Sequence, residues 1–503
     1  MKKFLRATFL LVLIITFLPT ILFAKATDDL IIAQQADPKT LDPAATNDVY
    51  SNNVNLNIYD RLFDFTPQMT IENNLAEGYQ QLDTLTLQVK IKKGVKFHNG
   101  DNLTAEDVKF SIERASKAPG AMTYFGDVDH VDIIDSYTVN IVTKKPFGPL
   151  FNALTNWSGS ILSKKYLESA GNQAFFEPIG SGPFKFDSWK TGDKLVLKAN
   201  KEYHRGAPGV DTATFRTIPE GTNRAIALET KEIDISVTLE PVDIPTVKAK
   251  DYLRLYHTSS VGLTYLGFNC EKGPTSDVRV RQAICYAINL PDIIENALNS
   301  LYLPTSTVMA PATMGYNDKI PFPKRDVEKA KKLLEEAGYK DGLKLRVWTN
   351  GVQTRQDAAV IIQDQLKEVG IDLTIEILEW SAYLDRLGKA EHDMFILGTP
   401  GSTDPDGILY PLFNYLNKGT AGNYSFYNNS KVNELLDKGR ETVDQAERLK
   451  YYLEAQEIIV SERPILPLGL PPILVGTQDY IEGFSAYPIF VHFFRNVKKT
   501  NKK

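Results

Sequence analysis

The second half of the chain alternates between helical and extended patterns of apolar residues. Apolar residues recur at helical spacing over 280–288, 327–337 and 358–369. Asp277 stands at the N-cap position of the first of these helices. Directly after the third helix, residues 371–377 alternate apolar with polar side chains, as a half-buried strand does. Because helices and strands that alternate along a chain pack as layers on one sheet, this half is predicted to be an α/β lobe.

The first half contributes shorter strands and a capped helix. Thr104 opens a capping-box pattern that ends at Asp107, which predicts a helix beginning there. Residues 49–65 are mixed and are predicted to be helical for part of their length. Extended segments are predicted at 29–35, 85–91, 184–197, 233–237 and 263–269.

The N-terminus has the anatomy of a secretory signal peptide. Three basic residues precede an apolar run over 9–23, and the A-x-A pattern Ala24-Lys25-Ala26 follows it. Cleavage after Ala26, or after Ala24, is predicted; an uncleaved N-terminal anchor is the alternative. Cleavage after Ala26 removes four basic residues and takes the formal net charge from −5 to −9. No cysteine follows the apolar run, so a lipid anchor is not expected and the predicted compartment is a periplasm.

Composition excludes several kinds of partner and site. A chain of 503 residues is predicted to form two or three lobes. With 57 basic against 62 acidic residues, a general nucleic-acid-binding protein is not expected. Two cysteines and six scattered histidines match no zinc pattern, and neither a metal nor a cofactor is expected. Cys270 and Cys285 are either packed free thiols or, in an oxidising compartment, a disulfide.

The common catalytic motifs do not occur in the chain. There is no G-x-S-x-G nucleophile elbow, no G-x-G-x-x-G and no Walker loop. The segment Asp404-Pro405-Asp406 offers two carboxylates, but the prolines and glycines around it favour a turn or a ligand-binding loop over an acid–base pair. An enzyme is therefore not expected.

Several short motifs occur in a fixed order along almost the whole chain after the signal peptide. They are Leu41-Asp42-Pro43, 58–62 (IYDRL), 91–100 (IKKGVKFHNG), 103–108 (LTAEDV), 180–184 (GSGPF), 277–283 (DVRVRQA) and 404–406 (DPD). Together they resemble the family 5 solute-binding proteins of ABC importers, a group with dipeptide-, oligopeptide-, glutathione- and nickel-binding members. Each motif alone is weak; their order and spacing carry the resemblance.

The resemblance implies an α/β protein with the two-lobed periplasmic-binding-protein (Venus flytrap) fold and an extra domain inserted in the first lobe. Two crossing segments would join the lobes, and lobe closure would bury the solute. The resulting assignment is a signal peptide at 1–26, a first lobe at 27–60, 180–262 and 480–503, an inserted subdomain at 61–179, and a second lobe at 263–479.

The function implied by the resemblance is that of the periplasmic solute-binding component of an ABC importer. It would capture a peptide-like solute between the lobes and deliver it, as a monomer, to a membrane permease with its ATPase subunits. In peptide-binding members the solute backbone pairs with protein strands, which gives affinity without reading side chains. The alternatives are a glutathione- or nickel-chelate-binding protein within the family, and a periplasmic peptide hydrolase or a chaperone-like peptide binder outside it.

The resemblance also implies positions that contact the solute, in four segments of the chain. For Trp380, which matches an aromatic residue of the cleft, a place in the core is the alternative. The implied ligand-binding residues are Asn47, Asp48, Val49, Tyr50, Gly262, Tyr265, Trp380, Thr399, Gly401, Ser402 and Asp404.

The sequence departs from the family pattern at the positions that recognise peptide termini. Relatives that bind a peptide amine have an aspartate where this chain has Gly401. Dipeptide-binding relatives have a carboxylate-binding arginine where Thr349 stands here, although Arg355 is close by. Asp404 is expected to have a structural turn role, with replacement of the missing anion as the alternative, and Asp48 is the other candidate anion. A further departure, Lys231 in place of a common glycine, lies away from these positions.

Overall fold

The computed structural model describes residues 28–46, 48–419 and 422–500. Asn47 and the predicted signal peptide at 1–26 lie outside the described residues, as do the side chains of Thr123, Trp380 and Ser381. The described strands form a seven-stranded, a five-stranded and a four-stranded sheet, together with two small two-stranded sheets.

The strands are short and many of them are buried on one face or both. In chain order they are β1 (Asp29–Gln34), β2 (Phe63–Phe65), β3 (Ile71–Asn73), β4 (Ala76–Gln81), β5 (Thr86–Ile91), β6 (Val128–Asp135), β7 (Thr138–Thr143), β8 (Phe184–Lys190), β9 (Lys194–Ala199), β10 (Thr212–Thr217), β11 (Ile235–Ser236), β12 (Leu253–Ser259), β13 (Leu263–Phe268), β14 (Leu343–Thr349), β15 (Ile371–Ile377), β16 (Met394–Thr399), β17 (Ile465–Gly469), β18 (Pro472–Gln478), β19 (Ile481–Glu482) and β20 (Lys498–Lys499).

The longer helices follow the sequence signals at their starts: Asp277 and Asp326 cap helices through their side chains, and Thr104 forms a capping box with Asp107. In chain order the helices are α1 (Val49–Ile58), α2 (Ala105–Ala115), α3 (Met122–Phe125), α4 (Leu150–Ala153), α5 (Lys164–Ala170), α6 (Gly221–Glu229), α7 (Ile244–Lys248), α8 (Val278–Ala287), α9 (Leu290–Asn296), α10 (Val327–Glu336), α11 (Gln353–Lys367), α12 (Trp380–Gly388), α13 (Asp406–Phe413), α14 (Ser430–Glu441) and α15 (Gln445–Glu462).

The seven-stranded sheet belongs to the first lobe and has the order β12-β18-β11-β1-β10-β9-β8. β1 runs parallel to β10 and β11, and β18 runs antiparallel to β11 and β12. Leu30 and Ile32 of β1 are fully buried and share a core with Val54 and Ile58 of α1. This packing holds α1 close to the sheet, with its N-terminus near the end of β1.

The five-stranded sheet belongs to the second lobe and has the order β15-β14-β16-β13-β17. β14, β15 and β16 are parallel, while β13 is antiparallel to both β16 and β17. Every residue of β13 is buried, and its alternate side chains enter two different cores: Leu263 and Tyr265 one, Leu266 and Phe268 the other. Burial on both faces is what helices on both sides of a sheet produce, as the α/β prediction required.

A third body is the inserted subdomain, built on the antiparallel sheet β4-β5-β7-β6. Leu87, Val89 and Ile91 of β5 point into its core, and Val108 and Ile112 of α2 cover them. The alternating and helical patterns seen in the sequence therefore meet face to face here.

Two short crossing segments join the lobes. Residues 260–262 connect β12 with β13, and residues 470–471 connect β17 with β18. The two segments are hydrogen-bonded to each other, because the Ser260 amide donates to the Pro471 carbonyl at 3.0 Å. The predicted pair of crossing strands is thus present as one paired hinge.

The second crossing differs from the predicted lobe boundary at residue 479. β18 pairs with β12 from Leu253↔Gln478 to Ser259↔Pro472, so 472–478 lie in the first sheet and not in the second lobe. β18 pairs with a strand that lies more than two hundred residues earlier in the chain. A local sequence pattern carries no information about so distant a partner, so the boundary could not be predicted from it.

Two further features are the state of the cysteines and the length and polarity of the helices. Cys270 and Cys285 are free thiols, the second of them buried. Across the parts of the chain that the structure describes, helices that are both long and apolar enough to cross a bilayer are absent.

Candidate functional site

The second lobe presents the carboxyl ends of its parallel strands at one edge. β14, β15 and β16 end there at Thr349, Ile377 and Thr399. Leu263, the first residue of the antiparallel strand β13, pairs with Thr399 at the same edge. Ligands of open α/β sheets bind outside this edge, so the loops that follow these strands are placed for solute contact.

The first lobe presents an equivalent edge. The parallel strands β1, β10 and β11 end at Gln34, Thr217 and Ser236, and the hinge leaves the sheet beside them, where Ser259 pairs with Pro472. Since both crossing segments start from these two edges, the edges face each other across the hinge. The geometry is that of a cleft between two lobes.

A cavity of about 580 Å³ lies between the two edges, and we call it the hinge-side cavity. The first lobe lines it with 49–50, 237–241 and 472–474; the second lobe lines it with 298–299, 301–302 and 352–354. Its size falls within the usual range for small-molecule sites, about 300–1,000 Å³. Of the predicted ligand residues, Val49 and Tyr50 line this cavity.

Asp48 caps the helix that carries Val49 and Tyr50. Its carboxylate accepts hydrogen bonds from the Ser51 amide at 2.9 Å and the Ser51 hydroxyl at 2.6 Å. Tyr50 in turn donates its hydroxyl to Gln35 Oε1 at 2.9 Å, and burial raises the pKa of Tyr50. Asp48 therefore positions the cavity wall, and its carboxylate is already engaged within the protein.

Glu240 is a carboxylate in the hinge-side cavity that the sequence analysis missed. Its side chain is about half exposed and lies 3.3 Å from the guanidinium of Arg224. Arg224 is fully buried and also donates to the carbonyls of Ile218, Pro219 and Thr238, so it is held rigidly. The only sequence signal was a capping pattern from Glu240 to Asp243, which says nothing about a cleft.

Arg355 supplies a cation at the facing edge of the second lobe. It lies in the first turn of α11, next to Thr354 of the cavity wall, and donates to Asn350 Oδ1 at 3.1 Å. Its guanidinium crosses β16 at Gly398, where a Cβ would lie 2.7 Å from Nη2. Glycine at 398 thus makes the room for this arginine, whereas Thr349 is buried at the end of β14.

Gly401 has no space for a side chain. Its φ is +75°, and a Cβ would lie 1.9 Å from the carbonyl oxygen of Val261 in the hinge. Gly262 is similarly close-packed, with a Cβ position 2.9 Å from the Thr399 carbonyl oxygen. The departure from the family aspartate at 401 has a physical cause: the loop and the hinge are in backbone contact here.

Asp404 is bound inside the protein. Arg448 donates to both of its carboxylate oxygens, and both side chains are buried. The Ser402 hydroxyl accepts a hydrogen bond from the Asp404 amide at 3.1 Å, and the Ser402 carbonyl accepts one from the Thr313 hydroxyl. These two bonds hold the loop in place. Of the two expected roles of Asp404, the structural one agrees with this geometry, because the carboxylate is taken.

The two predicted cleft aromatics have different positions. Tyr265 is only 2% exposed and packs edge-on against Phe395 at 5.9 Å between ring centres. Burial raises the pKa of Tyr265. Trp380 begins α12 at the carboxyl edge, and its side chain lies outside the described residues. Solute contact by Tyr265, Trp380 and Asn47 therefore stays a prediction.

The described residues contain no group of three or more histidine, cysteine, aspartate or glutamate side chains placed to hold a metal ion. Among the described residues of the cleft, the half-exposed Glu240 carboxylate and the Arg355 guanidinium are two opposite charges that stand on opposite lobes. Chemically this arrangement can bind a small dipolar molecule; the described site shows no nucleophile–base pair.

Comparisons with known proteins agree with this geometry. Residues 70–420 match the family model for bacterial extracellular solute-binding proteins, family 5 middle region. The glutathione-binding protein GsiB of Escherichia coli K12 is 30% identical over 478 residues, which cover 92% of this chain and 93% of GsiB. GsiB of Salmonella choleraesuis is 31% identical over 479 residues, with the same coverage of both chains.

Solved structures with the same fold cover nearly the whole chain. The periplasmic binding protein DppA of Helicobacter pylori, solved with the peptide STSA, superposes with a TM-score of 0.76 at 31% identity, covering 94% of this chain and 98% of DppA. HbpA2 of Haemophilus parasuis superposes with a TM-score of 0.86 at 28% identity, covering 94% of this chain and all of HbpA2.

Proposed function

This chain belongs to the family 5 bacterial extracellular solute-binding proteins, and from that premise we propose that it captures a peptide-like solute between its lobes and delivers it to an ABC importer. The observation that supports this most directly is the pair of carboxyl edges that face each other across a hydrogen-bonded hinge, with a cavity between them. A solute that contacts both edges favours the closed arrangement over an open one.

The charges of the cleft suggest how such a solute would be oriented. Glu240 would receive a cationic group and Arg355 an anionic group, so that a dipolar solute spans the two lobes. Backbone hydrogen bonds from the strand ends would hold the remainder without selecting side chains. Affinity would then depend on the separation of the two charges as well as on their presence.

Glutathione is the second candidate solute, because the GsiB relatives at 30–31% identity are named for binding it. It is a γ-linked tripeptide with one amine and two carboxylates, so it satisfies the same charge pair. Calorimetric titration with dipeptides, tripeptides, glutathione and a nickel–histidine chelate separates the candidates. We expect a peptide or glutathione to bind at micromolar concentration or tighter; binding of the nickel chelate alone would contradict the proposal.

The protein is proposed to do no chemistry on the solute. Incubation of each bound peptide with the protein, followed by mass spectrometry, should return the peptide intact. Peptide cleavage that persists after contaminating proteases have been removed would favour the hydrolase alternative. A chaperone-like binder would instead show affinity that rises with the length of an unfolded segment.

The proposed compartment is the periplasm, reached with a cleavable signal peptide and without a lipid anchor; the partners are a permease with its ATPase subunits, and the protein is a monomer. N-terminal sequencing of the exported protein should begin at Lys25 or Thr27. An intact Met1 on exported material would contradict the proposed processing. Light scattering with and without solute tests the monomer.

A further inference from the structure

A second cavity, of about 480 Å³, lies where the inserted subdomain meets the second lobe, and we call it the subdomain cavity. Phe65, Met69 and Phe151 line it from the subdomain, and Pro311 and Met314 line it from the second lobe. Of the predicted ligand residues that the structure describes, only Asp404 lines this cavity, and its carboxylate is bound to Arg448.

The walls of the subdomain cavity and of the hinge-side cavity are linked by packed side chains and by one loop. Val49, which lines the hinge-side cavity, packs in one apolar cluster with Phe65 and Met69, which line the subdomain cavity. On the opposite wall, the loop after β16 starts at the carboxyl edge with Thr399 and reaches the subdomain cavity at Thr403. One apolar cluster and one loop thus run from the cleft edges to the subdomain cavity.

Several of the polar groups around the subdomain cavity are paired within the protein, while the exposed Gln68 side chain lies in the lining without a hydrogen bond to another described residue. Thr403 donates to Asn152 Oδ1 at 3.2 Å, and Thr313 donates to the Ser402 carbonyl at 2.7 Å. Gln445 donates to the Gly148 carbonyl at 3.3 Å and accepts from Arg448 at 3.0 Å. Among the described lining residues the one ionisable group is Asp404, which Arg448 neutralises. What remains for an occupant is mainly apolar surface from phenylalanine, methionine and proline, with the uncharged Gln68 amide beside it.

We infer that the subdomain cavity is a subsite for an uncharged, apolar group carried by the solute at the end that points away from the hinge. The inference rests on the proposed function and narrows it to peptide-like solutes with one apolar terminal side chain. An aliphatic or aromatic group gains by burial there, while a charged group would lose its hydration without gaining a partner. Because two bodies form the walls, an occupant also holds the subdomain against the second lobe.

The test is a calorimetric comparison of tripeptides that differ at one end. The probes are Ala-Ala-Ala, Leu-Ala-Ala, Ala-Ala-Leu, Lys-Ala-Ala and Ala-Ala-Lys. We expect leucine at one of the two ends to tighten binding about tenfold over alanine, and lysine at that same end to give no gain. In Met314→Gln the leucine-to-alanine ratio should fall toward one.

Two variants keep the result interpretable. Met122→Gln makes the same substitution at a half-exposed methionine of the subdomain, away from the cavity, and should keep the parent ratio. Ala312→Phe, which fills the cavity from its rim, should weaken the leucine peptide more than the alanine peptide. A ratio unchanged in both Met314→Gln and Ala312→Phe overturns the subsite while leaving peptide binding intact. If no peptide of the set binds the parent, the proposed function fails and the subsite with it.

Discussion

Arg448 holds Asp404 by two hydrogen bonds, of 2.7 and 2.5 Å, at a place where neither side chain reaches solvent. The pair ties α15 to the loop that closes the carboxyl edge of the second lobe. Of the two roles that the sequence left open for Asp404, this geometry favours the structural one. Because Asp404 is itself buried and Arg448 donates to both of its oxygens, this carboxylate is not free to bind a solute cation.

Asp404→Asn is therefore expected to lower the free energy of unfolding by about 3–5 kcal/mol, because a buried Arg448 would lose its counter-charge. Urea unfolding followed by circular dichroism measures this. Asp193→Asn, which breaks an exposed pair with Lys190, is the matched control and should change little. If Asp404→Asn has only a mild effect on unfolding but causes a large loss of peptide affinity, Asp404 binds the solute and does not have the structural role assigned to it here.

Gly401→Ala should destabilise the protein by more than about 2 kcal/mol, since the residue has a positive φ and its Cβ would meet the hinge carbonyl. Gly401→Asp, which restores the family aspartate, should behave at least as badly and should not improve binding of a free amine. Thermal unfolding of both variants can be set against Gly351→Ala, where nothing lies within 4 Å of the new methyl group. A stable Gly401→Asp with tighter amine binding would show that the loop can move away from Val261.

Glu240 is expected to replace the missing aspartate as the partner of a solute amine. N-acetylation of a bound tripeptide should weaken its binding to the parent about tenfold or more, and much less so in Glu240→Gln. Asp48→Asn is the competing variant, and it should keep the full acetylation penalty because the Asp48 carboxylate caps α1. Calorimetric titration of the free and the N-acetylated tripeptide into the parent, Glu240→Gln and Asp48→Asn measures the acetylation penalty of each protein. A penalty abolished by Asp48→Asn and kept by Glu240→Gln would assign the amine to Asp48.

Acid should destabilise the fold through two buried histidines, His392 and His492, and the partly buried His98. Burial lowers the pKa of His492 to about 3, of His392 to about 3 and of His98 to about 4. A histidine whose folded pKa is depressed contributes stability above its unfolded pKa near 6.5, and this stability is lost as the pH falls below that value. Each group then costs about 1.4 kcal/mol per pH unit, so the unfolding free energy should drop steeply between pH 6.5 and 4.

His492→Gln should make this acid slope shallower by about one proton, whatever its effect on stability at neutral pH. Urea unfolding at pH 7, 6 and 5 gives the slopes. His130 is the control: it is exposed, and its pKa is raised by hydrogen bonding to Asp129, so its effect on stability has the opposite sign and falls near and above its unfolded pKa. His130→Gln should therefore leave the slope between pH 6 and 5 nearly unchanged. Equal slopes in parent and His492→Gln would mean that His492 is solvated in the folded protein.

The sequence predicted the elements whose signals are local. Asp277 and Asp326 predicted the starts of two helices through their capping side chains. The period-two pattern of 371–377 predicted a strand with the same bounds as β15. Free thiols at Cys270 and Cys285 also agree with the preferred reading of two isolated cysteines. The resemblance then supplied the order of the lobes, which no local pattern contains.

What the sequence could not supply depends on contacts between distant segments. The place of β18 in the first sheet needs a partner at 253–259, and the room for Arg355 needs the bare backbone of Gly398. Glu240 reads as an ordinary capping residue until Arg224 and the facing lobe are placed around it. Sites of this kind are assembled by the fold, so their chemistry appears only once the fold is known.

The hydrogen bond between Ser260 and Pro471 has a mechanical consequence. Two connections that lie side by side and are hydrogen-bonded to each other favour rotation of the lobes about one line over sliding past one another. Such a rotation would bring the same atoms opposite each other at each closure. A membrane partner that feels only the spacing between the two lobe tips could thereby tell a loaded protein from an empty one, whichever solute lies inside.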